Sequence, residues 1–254
     1  RSNTLDCQVS IGAALSGDDG LDADTLLLQS DFALYDVKRR ERGGLATYDK
    51  ALHARLSRDA ELAADLRLAI QDGALSFHFQ PINDVKTGKI CCIEALARWN
   101  HPDLGAVSPV DFIPVAEESG LIVPLGRWAL EEAAKTISRW NSGPDTQQDF
   151  RVSVNMSAVQ MQRDDVVDAV SSALKGANVD GNRMTIELTE SAFINDPAGA
   201  KMSLDALKGL DTNLAMDDFG TGYSNLAYLQ QLPIDVLKID RSFVSDMLVN
   251  KDKR

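Results

Sequence analysis

From Ala74 onward, short apolar segments typical of β-strands alternate with longer segments of helical periodicity. Strands are predicted over 75–82, 89–99, 150–156, 183–190, 212–218 and 234–239, and helices over 124–141, 164–176 and 198–209. Repeated strand and helix units indicate an α/β fold, and a parallel α/β barrel is the expected architecture. The rival is a doubly wound sheet. That fold normally carries a glycine-rich nucleotide fingerprint after its first strand, which this sequence lacks.

The N-terminal part of the sequence does not follow this pattern. Residues 1–49 contain a strand-like stretch, Gln8-Val-Ser-Ile-Gly12, followed by a helix-like run, and are too short for a convincing core of their own. Residues 50–73 have leucine and isoleucine at helical spacing and end at Gly73. We therefore expect a linker helix over 50–73, followed by the α/β region over 74–254.

The charge balance limits the classes of partner. The formal net charge is −12, from 26 basic and 38 acidic side chains, which disfavours DNA or RNA as a partner because nucleic acids need a basic surface. A phosphate substrate would have to be met by bound cations, which directs attention to clustered carboxylates. The sequence has no apolar run of about 18 residues and no signal peptide, so a cytoplasmic location is expected. It begins at Arg1 rather than methionine, and a membrane anchor upstream would lie outside it.

Polar side chains occupy one face of five predicted strands, opposite the apolar face that packs on helices. In an α/β barrel that face is the interior, and the C-terminal ends of the strands build the active site. The residues expected to converge there are Glu94, Asn155, Glu187, Asp217 and Lys238. Any one of them could be a solvated strand end or a helix cap. Five such residues on the same face of five strands favour a functional site.

This set of side chains is rich in oxygen and contains no histidine, because His53, His78 and His101 lie elsewhere. Carboxylates and an amide oxygen suit Mg²⁺ or Mn²⁺, whereas zinc usually recruits histidine or cysteine. The adjacent Asp217 and Asp218 could serve two metals, and a metal pair about 4 Å apart is a recurrent device for hydrolysing phosphodiesters. The sequence therefore predicts metal-dependent phosphodiester chemistry.

Seven motifs of this region occur in the order and spacing of one known family. They are Phe79-Gln-Pro-Ile82, Glu94-Ala-Leu-Ala-Arg-Trp99, Phe112-Ile-Pro-Val-Ala-Glu-Glu-Ser-Gly-Leu121, Val154-Asn-Met-Ser157, Glu187-Leu-Thr-Glu190, Asp217-Asp-Phe-Gly-Thr-Gly-Tyr223 and Leu237-Lys-Ile-Asp-Arg-Ser-Phe243. The series resembles the EAL-domain cyclic-di-GMP phosphodiesterases. The resemblance implies a (β/α)8 TIM-like barrel and hydrolysis of cyclic di-GMP to linear pGpG in bacterial signalling.

The resemblance also implies a role for each site residue. Five are implied as metal ligands, namely Glu94, Asn155, Glu187, Asp217 and Asp218. Lys238 would position or polarise the attacking water, and it forms the catalytic set with Glu94 and Asp217. Substrate contacts are implied for Gln80, Arg98 and Asp240, with Asp240 also close to the second metal, and Glu190 would brace the loop over 218–224. Cyclic di-GMP is then the expected partner, and the family allows a homodimer formed through this domain.

The segment before the linker helix resembles the end of a GGDEF diguanylate cyclase domain. The matching stretches are Val9-Ser-Ile-Gly12 and Asp31-Phe-Ala-Leu-Tyr-Asp-Val-Lys38. The GGDEF motif itself is absent, so no cyclase activity is implied. The resemblance thus divides the chain into a GGDEF remnant over 1–49, a linker helix over 50–73 and an EAL domain over 74–254.

The EAL resemblance stops at Arg254, a few residues after the sixth predicted strand. The family's downstream AEGVE-like and QGY-like segments are missing, with a catalytic glutamate and a glutamine, so about six of the eight barrel strands are expected. Open sheet edges favour aggregation or pairing. We expect the chain as given to be weakly active or inactive. Two alternatives stay open: a non-catalytic cyclic-di-GMP receptor or interaction module, and a nonfunctional truncation.

Overall fold

The computed structural model describes residues 8–16, 21–40, 43–142, 150–162, 165–193, 196–220 and 230–245. The helices are α1 (Ala23–Arg40), α2 (Lys50–Asp72), α3 (Pro109–Ser119), α4 (Ile122–Asn141), α5 (Ala158–Met161), α6 (Val166–Ala177), α7 (Pro197–Lys208) and α8 (Arg241–Val244). The strands are β1 (Ser10–Ala13), β2 (Gly44–Thr47), β3 (Leu75–Asn83), β4 (Ile90–His101), β5 (Gly105–Val107), β6 (Val152–Met156), β7 (Met184–Thr189), β8 (Asn213–Phe219) and β9 (Val236–Ile239). The chain divides into two compact units, Arg1–Leu66 and Arg67–Arg254. Within the described ranges, no helix is long and apolar enough to cross a bilayer.

The first unit is built around a small parallel sheet. Strands β1 and β2 pair in parallel, with Ile11 opposite Leu45, and α1 connects them. The buried carboxylate of Asp36 in α1 forms an ion pair with Arg55 in α2. The strand and the helix predicted within residues 1–49 are confirmed, whereas β2 was not predicted.

The helix predicted over 50–73 is present as α2. It begins after Asp49, whose carboxylate accepts a hydrogen bond from the Leu52 N–H at 2.6 Å, and it ends at Gly73. Gly73 has a φ of 72°, a left-handed conformation in which a side chain would be strained, so glycine stops the helix there. The chain then enters β3 at Leu75.

The second unit contains a sheet in the order β3, β4, β6, β7, β8 and β9, with β5 added beside β4. The neighbouring pairs from β4 to β9 are parallel, and α4, α6 and α7 lie between successive strands along the chain. All six predicted strands are confirmed to within a few residues. The alternation of strands and helices therefore predicted the α/β class correctly.

The expectation of a parallel sheet is wrong at β3 and β5, which both pair with β4 in antiparallel orientation. Strands β3 and β4 are antiparallel, with Gln80 opposite Glu94. They are joined by the short turn from Asp84 to Lys89, in which the Asp84 carboxylate accepts hydrogen bonds from the N–H and the hydroxyl of Thr87. A parallel neighbour needs a crossover of roughly a dozen residues or more, which this turn cannot provide.

The core of the second unit lies between the sheet and the helices. Ala133 and Ile137 of α4, Ile186 of β7 and Leu204 of α7 are fully buried, and Val154 of β6 is nearly so. These strand residues are those that sequence alternation assigned to the helix-packing face. The opposite face of the same strands is therefore fixed as the one that carries the polar side chains.

A close contact between α4 and α5 fixes the segment that follows β6. Gly126 of α4 faces the side chain of Gln160, whose Nε2 lies 1.7 Å from the point where a Cβ at position 126 would be. Gln160 is buried, and its Oε1 accepts a hydrogen bond from the Ser157 N–H at 3.0 Å. A larger residue at position 126 would push Gln160 out of this hydrogen bond.

We expect Gly126→Ala to be less stable than a glycine-to-alanine change at an open helix position, because the end of the Gln160 side chain must move. The gain in helix propensity is about 1 kcal/mol, and the loss of the Gln160 hydrogen bond offsets it by about 0.5–1.5 kcal/mol. Gly176→Ala in α6 is the matched control, because a Cβ there meets nothing within 4 Å, so this variant should be stabilised. Chemical denaturation of the two variants gives the comparison. Equal stabilisation of both would contradict the packing argument.

Candidate functional site

Three carboxylates converge on the polar face of the sheet. Glu94 of β4, Glu187 of β7 and Asp217 of β8 each bring an oxygen to within 4.8 Å of the others. Asn155 of β6 lies between these strands, and its Nδ2 donates a hydrogen bond to Glu94 Oε1 at 3.0 Å. Parallel pairing of the strands brings these residues together, as sequence alternation predicted.

The ammonium of Lys238 lies among the three carboxylates. Its Nζ is 3.2 Å from Glu94 Oε2, 2.5 Å from Glu187 Oε2 and 3.1 Å from Asp217 Oδ2. The side chain enters from β9, the strand next to β8. One ammonium faces three carboxylates, so two negative charges of this cluster stay uncompensated by Lys238.

The pKa values of Glu187 and Lys238 are both raised, for different reasons. Burial raises the pKa of Glu187, whose side chain is 2% exposed, and the hydrogen bond and charge of Lys238 offset only part of that effect. Burial by itself lowers the pKa of Lys238, but the hydrogen bond to Glu187 and the carboxylates around it raise that pKa above its usual value. The cluster thus favours an additional positive charge.

The donor set fits a divalent cation that prefers oxygen ligands. Glu94, Glu187 and Asp217 supply carboxylate oxygens, and Asn155 supplies an amide oxygen beside them. Such ligands suit Mg²⁺ and Mn²⁺ better than zinc, which favours histidine and cysteine. The uncompensated charge of the cluster corresponds to that of one divalent ion.

An irregularity at the end of β8 brings a further carboxylate to the same region. The pairing of β8 with β9 shifts register between Met216 and Phe219, and Asp218 has a φ of 53°. In a regular strand, neighbouring side chains point to opposite faces, so Asp217 and Asp218 could not both face the site. This register shift, a β-bulge, removes that restriction, so both carboxylates can face the site. Strand alternation in the sequence does not predict such a shift.

Asp218 and Asp240 lie close enough to influence each other. Partial burial raises the pKa of Asp218, and the negative charges of Asp217 and Asp240 raise it further. The Asp240 carboxylate also accepts a hydrogen bond from the Ser242 N–H at 2.8 Å and so caps α8. These aspartates form a second acidic group next to the first.

The residues expected to contact substrate are placed around this centre. Gln80 is exposed on β3, paired in register with Glu94. Arg98 donates from Nη1 to the carbonyl oxygen of Ala97 at 2.8 Å and lines a cavity beside the cluster. Glu190 begins the 3-10 turn Glu190–Phe193. The predicted partner of Glu190 is the loop over 218–224. Residues 221–224 of that loop lie outside the described residues.

The cavity beside the cluster has a volume of about 490 Å³. Arg98, Asn155 and Glu187 line its polar side, and Ile113 of α3 and Leu125 of α4 line its apolar side. No role and no helix were predicted from the sequence for the segment that forms α3. A signal for it exists, because Ser108 followed by proline is typical of a helix start.

An acidic cluster at the C-terminal ends of parallel strands lies where α/β barrels build their active sites, and its oxygen ligands suit a metal-dependent protein. The chain belongs to the EAL domain family, whose model matches residues 63–254.

Curated relatives match nearly the whole chain. An uncharacterized signaling protein of Caulobacter vibrioides is 39% identical over 238 residues, which cover 94% of this chain and 29% of that protein. The bifunctional diguanylate cyclase/cyclic di-GMP phosphodiesterase MucR of Pseudomonas aeruginosa is 36% identical over 243 residues, which cover 96% of this chain and 35% of MucR. The chain thus spans about a third of the length of these relatives.

A solved structure gives the same result for the fold. The PaMucR phosphodiesterase in its c-di-GMP complex superposes with a TM-score of 0.71 at 37% sequence identity. The match covers 76% of this chain and 77% of that one. The α/β architecture of the second unit is therefore that of EAL domains.

Proposed function

We propose that this chain belongs to a metal-dependent phosphodiesterase that hydrolyses cyclic di-GMP to linear pGpG in bacterial second-messenger signalling. The observation that carries the proposal is the convergence of Glu94, Glu187 and Asp217 within 4.8 Å around Lys238 in a chain of the EAL family. The name of MucR and the ligand of the PaMucR structure support the choice of substrate.

In this proposal Glu94, Asn155, Glu187 and Asp217 hold one Mg²⁺ or Mn²⁺, and Asp218 with Asp240 serves a second one. When bound, such ions activate water as a nucleophile and neutralise charge on the phosphate oxygens. The raised pKa of Asp218 and its closeness to Asp240 support a second cation, because burial and the charges of Asp217 and Asp240 destabilise the ionised form of Asp218.

Three side chains would then act on the substrate and the water. Lys238 donates a hydrogen bond from its ammonium and so orients the attacking water beside the carboxylates. Arg98 lines the cavity next to Asn155 and has N–H groups beyond the one bound to Ala97, which suit a phosphate oxygen. Gln80 contacts the substrate from the neighbouring strand β3. Glu190 supports the loop that follows β8.

We further propose a division of the chain into three parts. Residues 1–49 are the C-terminal remnant of a GGDEF domain, 50–73 a linker helix and 74–254 an EAL domain whose strands belong to a (β/α)8 barrel. The small parallel sheet of β1 and β2 around α1 supports a separate N-terminal part. The MucR match, which extends over 96% of the chain and names a diguanylate cyclase, supports its origin.

The proposal is tested with the 254-residue chain and with any longer gene product that carries it. Cyclic di-GMP is incubated with each in the presence of Mn²⁺, Mg²⁺ or EDTA, and pGpG is quantified by chromatography. Binding of cyclic di-GMP is measured in parallel by calorimetry in Ca²⁺ buffer. We expect pGpG to appear only with Mn²⁺ or Mg²⁺.

Each outcome separates the candidates. Metal-dependent pGpG formation supports the phosphodiesterase. Tight binding without turnover in every form of the protein would instead favour a cyclic-di-GMP receptor. If the protein neither binds nor hydrolyses cyclic di-GMP, the substrate assignment is wrong.

A further inference from the structure

A buried hydroxyl lies next to the carboxylate cluster and has no role in the function proposed above. Ser153 of β6 is two residues before Asn155 and therefore on the same face of the strand. It is in register with Glu94 on β4 and with Thr185 on β7. Its side chain is 1% exposed. The hydroxyl therefore lies directly below the carboxylates, on the interior side of the sheet.

The Ser153 hydroxyl is unusual in its hydrogen bonding. Within the described part of the chain, Ser153 Oγ meets no partner at ordinary hydrogen-bond geometry. It is nevertheless close enough to Glu187 and to the Cys92 thiol to lower the pKa of both groups, and of these two Glu187 is the stronger acceptor. A buried hydroxyl without a partner reduces stability, and alanine in its place would avoid that loss. A small movement of the side chains would give this hydroxyl a partner and remove that cost.

Glu187 is the carboxylate that would provide this partner. Its side chain is 2% exposed, so water cannot readily complete its hydrogen bonds. The structure gives it a bond from Lys238 at 2.5 Å, and the same ammonium is shared with Glu94 and Asp217. A carboxylate that binds a metal through one oxygen is commonly held by a hydrogen bond to the other, and loss of such a donor weakens metal binding about 10- to 100-fold.

We infer that Ser153 is a positioning residue, which donates its hydroxyl hydrogen to Glu187 in the metal-loaded protein and so orients that carboxylate toward the cation. The inference rests on the metal site of the proposed function. In the structure the Lys238 ammonium is bonded to Glu187, and the Ser153 hydroxyl lies beside the same carboxyl group. The two donors would then hold the carboxylate together.

The test uses Ser153→Ala in the 254-residue chain and follows two quantities besides activity. Mn²⁺ affinity is measured by calorimetry, and thermal unfolding is recorded with EDTA and with Mn²⁺. We expect Mn²⁺ affinity to fall about 10-fold, while the unfolding temperature in EDTA stays equal to or above that of the wild type. Ser153→Thr keeps the hydroxyl and should retain most of the affinity.

A purely structural role predicts the opposite pattern, in which Ser153→Ala is less stable in EDTA and binds Mn²⁺ normally. Thr185→Val is the matched control, because it removes a buried hydroxyl from the neighbouring strand with little change in shape. Its Mn²⁺ affinity should match the wild type. Wild-type affinity in Ser153→Ala overturns the inference alone. If the wild-type chain itself binds no Mn²⁺, the metal site is wrong and the inference falls with it.

Discussion

In a longer gene product that contains this chain and forms pGpG, Glu94→Ala is expected to abolish metal-dependent formation of pGpG. Glu94 shares the cluster with Glu187 and Asp217 and accepts hydrogen bonds from Asn155 and Lys238, so its loss removes a ligand and frees two of the groups around it. Even a group that only supports a ligand is worth about 10- to 100-fold, so turnover should fall by more than about 100-fold. Turnover is measured by chromatography of pGpG, and Mn²⁺ affinity by calorimetry.

The variant should remain folded, because Lys238 still pairs with Glu187 and Asp217. Circular dichroism in EDTA checks this. Glu131→Ala is the control, since Glu131 is an exposed carboxylate on α4 that is ion-paired with Lys135, and it should leave turnover and Mn²⁺ affinity unchanged. Unchanged Mn²⁺ affinity and turnover in Glu94→Ala would show that the metal site lies elsewhere.

Lys238→Met is expected to destabilise the protein in EDTA and to leave the stabilisation by Mn²⁺ in place. Without the ammonium, Glu94, Glu187 and Asp217 face one another with no internal counterion. Breaking a buried ion pair costs about 3–5 kcal/mol, and because Lys238 is 25% exposed we expect a loss of about 2 kcal/mol in EDTA. Saturating Mn²⁺ at about 100 times its dissociation constant restores about 2.7 kcal/mol through binding to the folded state. Turnover stays lost, because the group that orients the water is absent.

Lys208→Met is the control, because it removes an ion-paired lysine that lies outside the carboxylate cluster. Lys208 pairs with Asp235 at 2.8 Å on the surface of the same unit, with both side chains about one third exposed. Its removal should cost about 1 kcal/mol or less, with and without Mn²⁺. Guanidinium unfolding curves of both variants give the comparison. If Lys238→Met is as stable as the wild type in EDTA, Lys238 is not the counterion of the cluster.

Much of the fold of the second unit could be predicted from the sequence, because its signals are local. Strand length, helical periodicity and the alternation in β6 and β7 each depend on residues close together in the chain. The orientation of β3 follows from turn length, which the alternation pattern does not contain. Short elements such as β2 and β5 are stabilised by their neighbours rather than by their own sequence, so propensity could not predict them.

The candidate site was predictable to the same extent. The site residues converge because parallel pairing aligns the side chains that share one face of neighbouring strands. These residues are Glu94, Asn155, Glu187, Asp217 and Lys238. The sequence did not indicate that the lysine would pair with all three carboxylates at once, since this depends on the distance across β7 to β9. The bulge at Asp218 and the unpaired hydroxyl of Ser153 are likewise properties of the packed sheet.

The contact between Gly126 and Gln160 has a consequence for the divergence of these proteins. A Cβ at position 126 and a glutamine at position 160 cannot both occupy their present places. The two positions should therefore covary among homologues that keep this helix geometry, with alanine or serine at position 126 accompanied by a shorter side chain at position 160. The double variant Gly126→Ala with Gln160→Ser should be more stable than Gly126→Ala alone. The two positions would then evolve together, although neither residue touches the carboxylates.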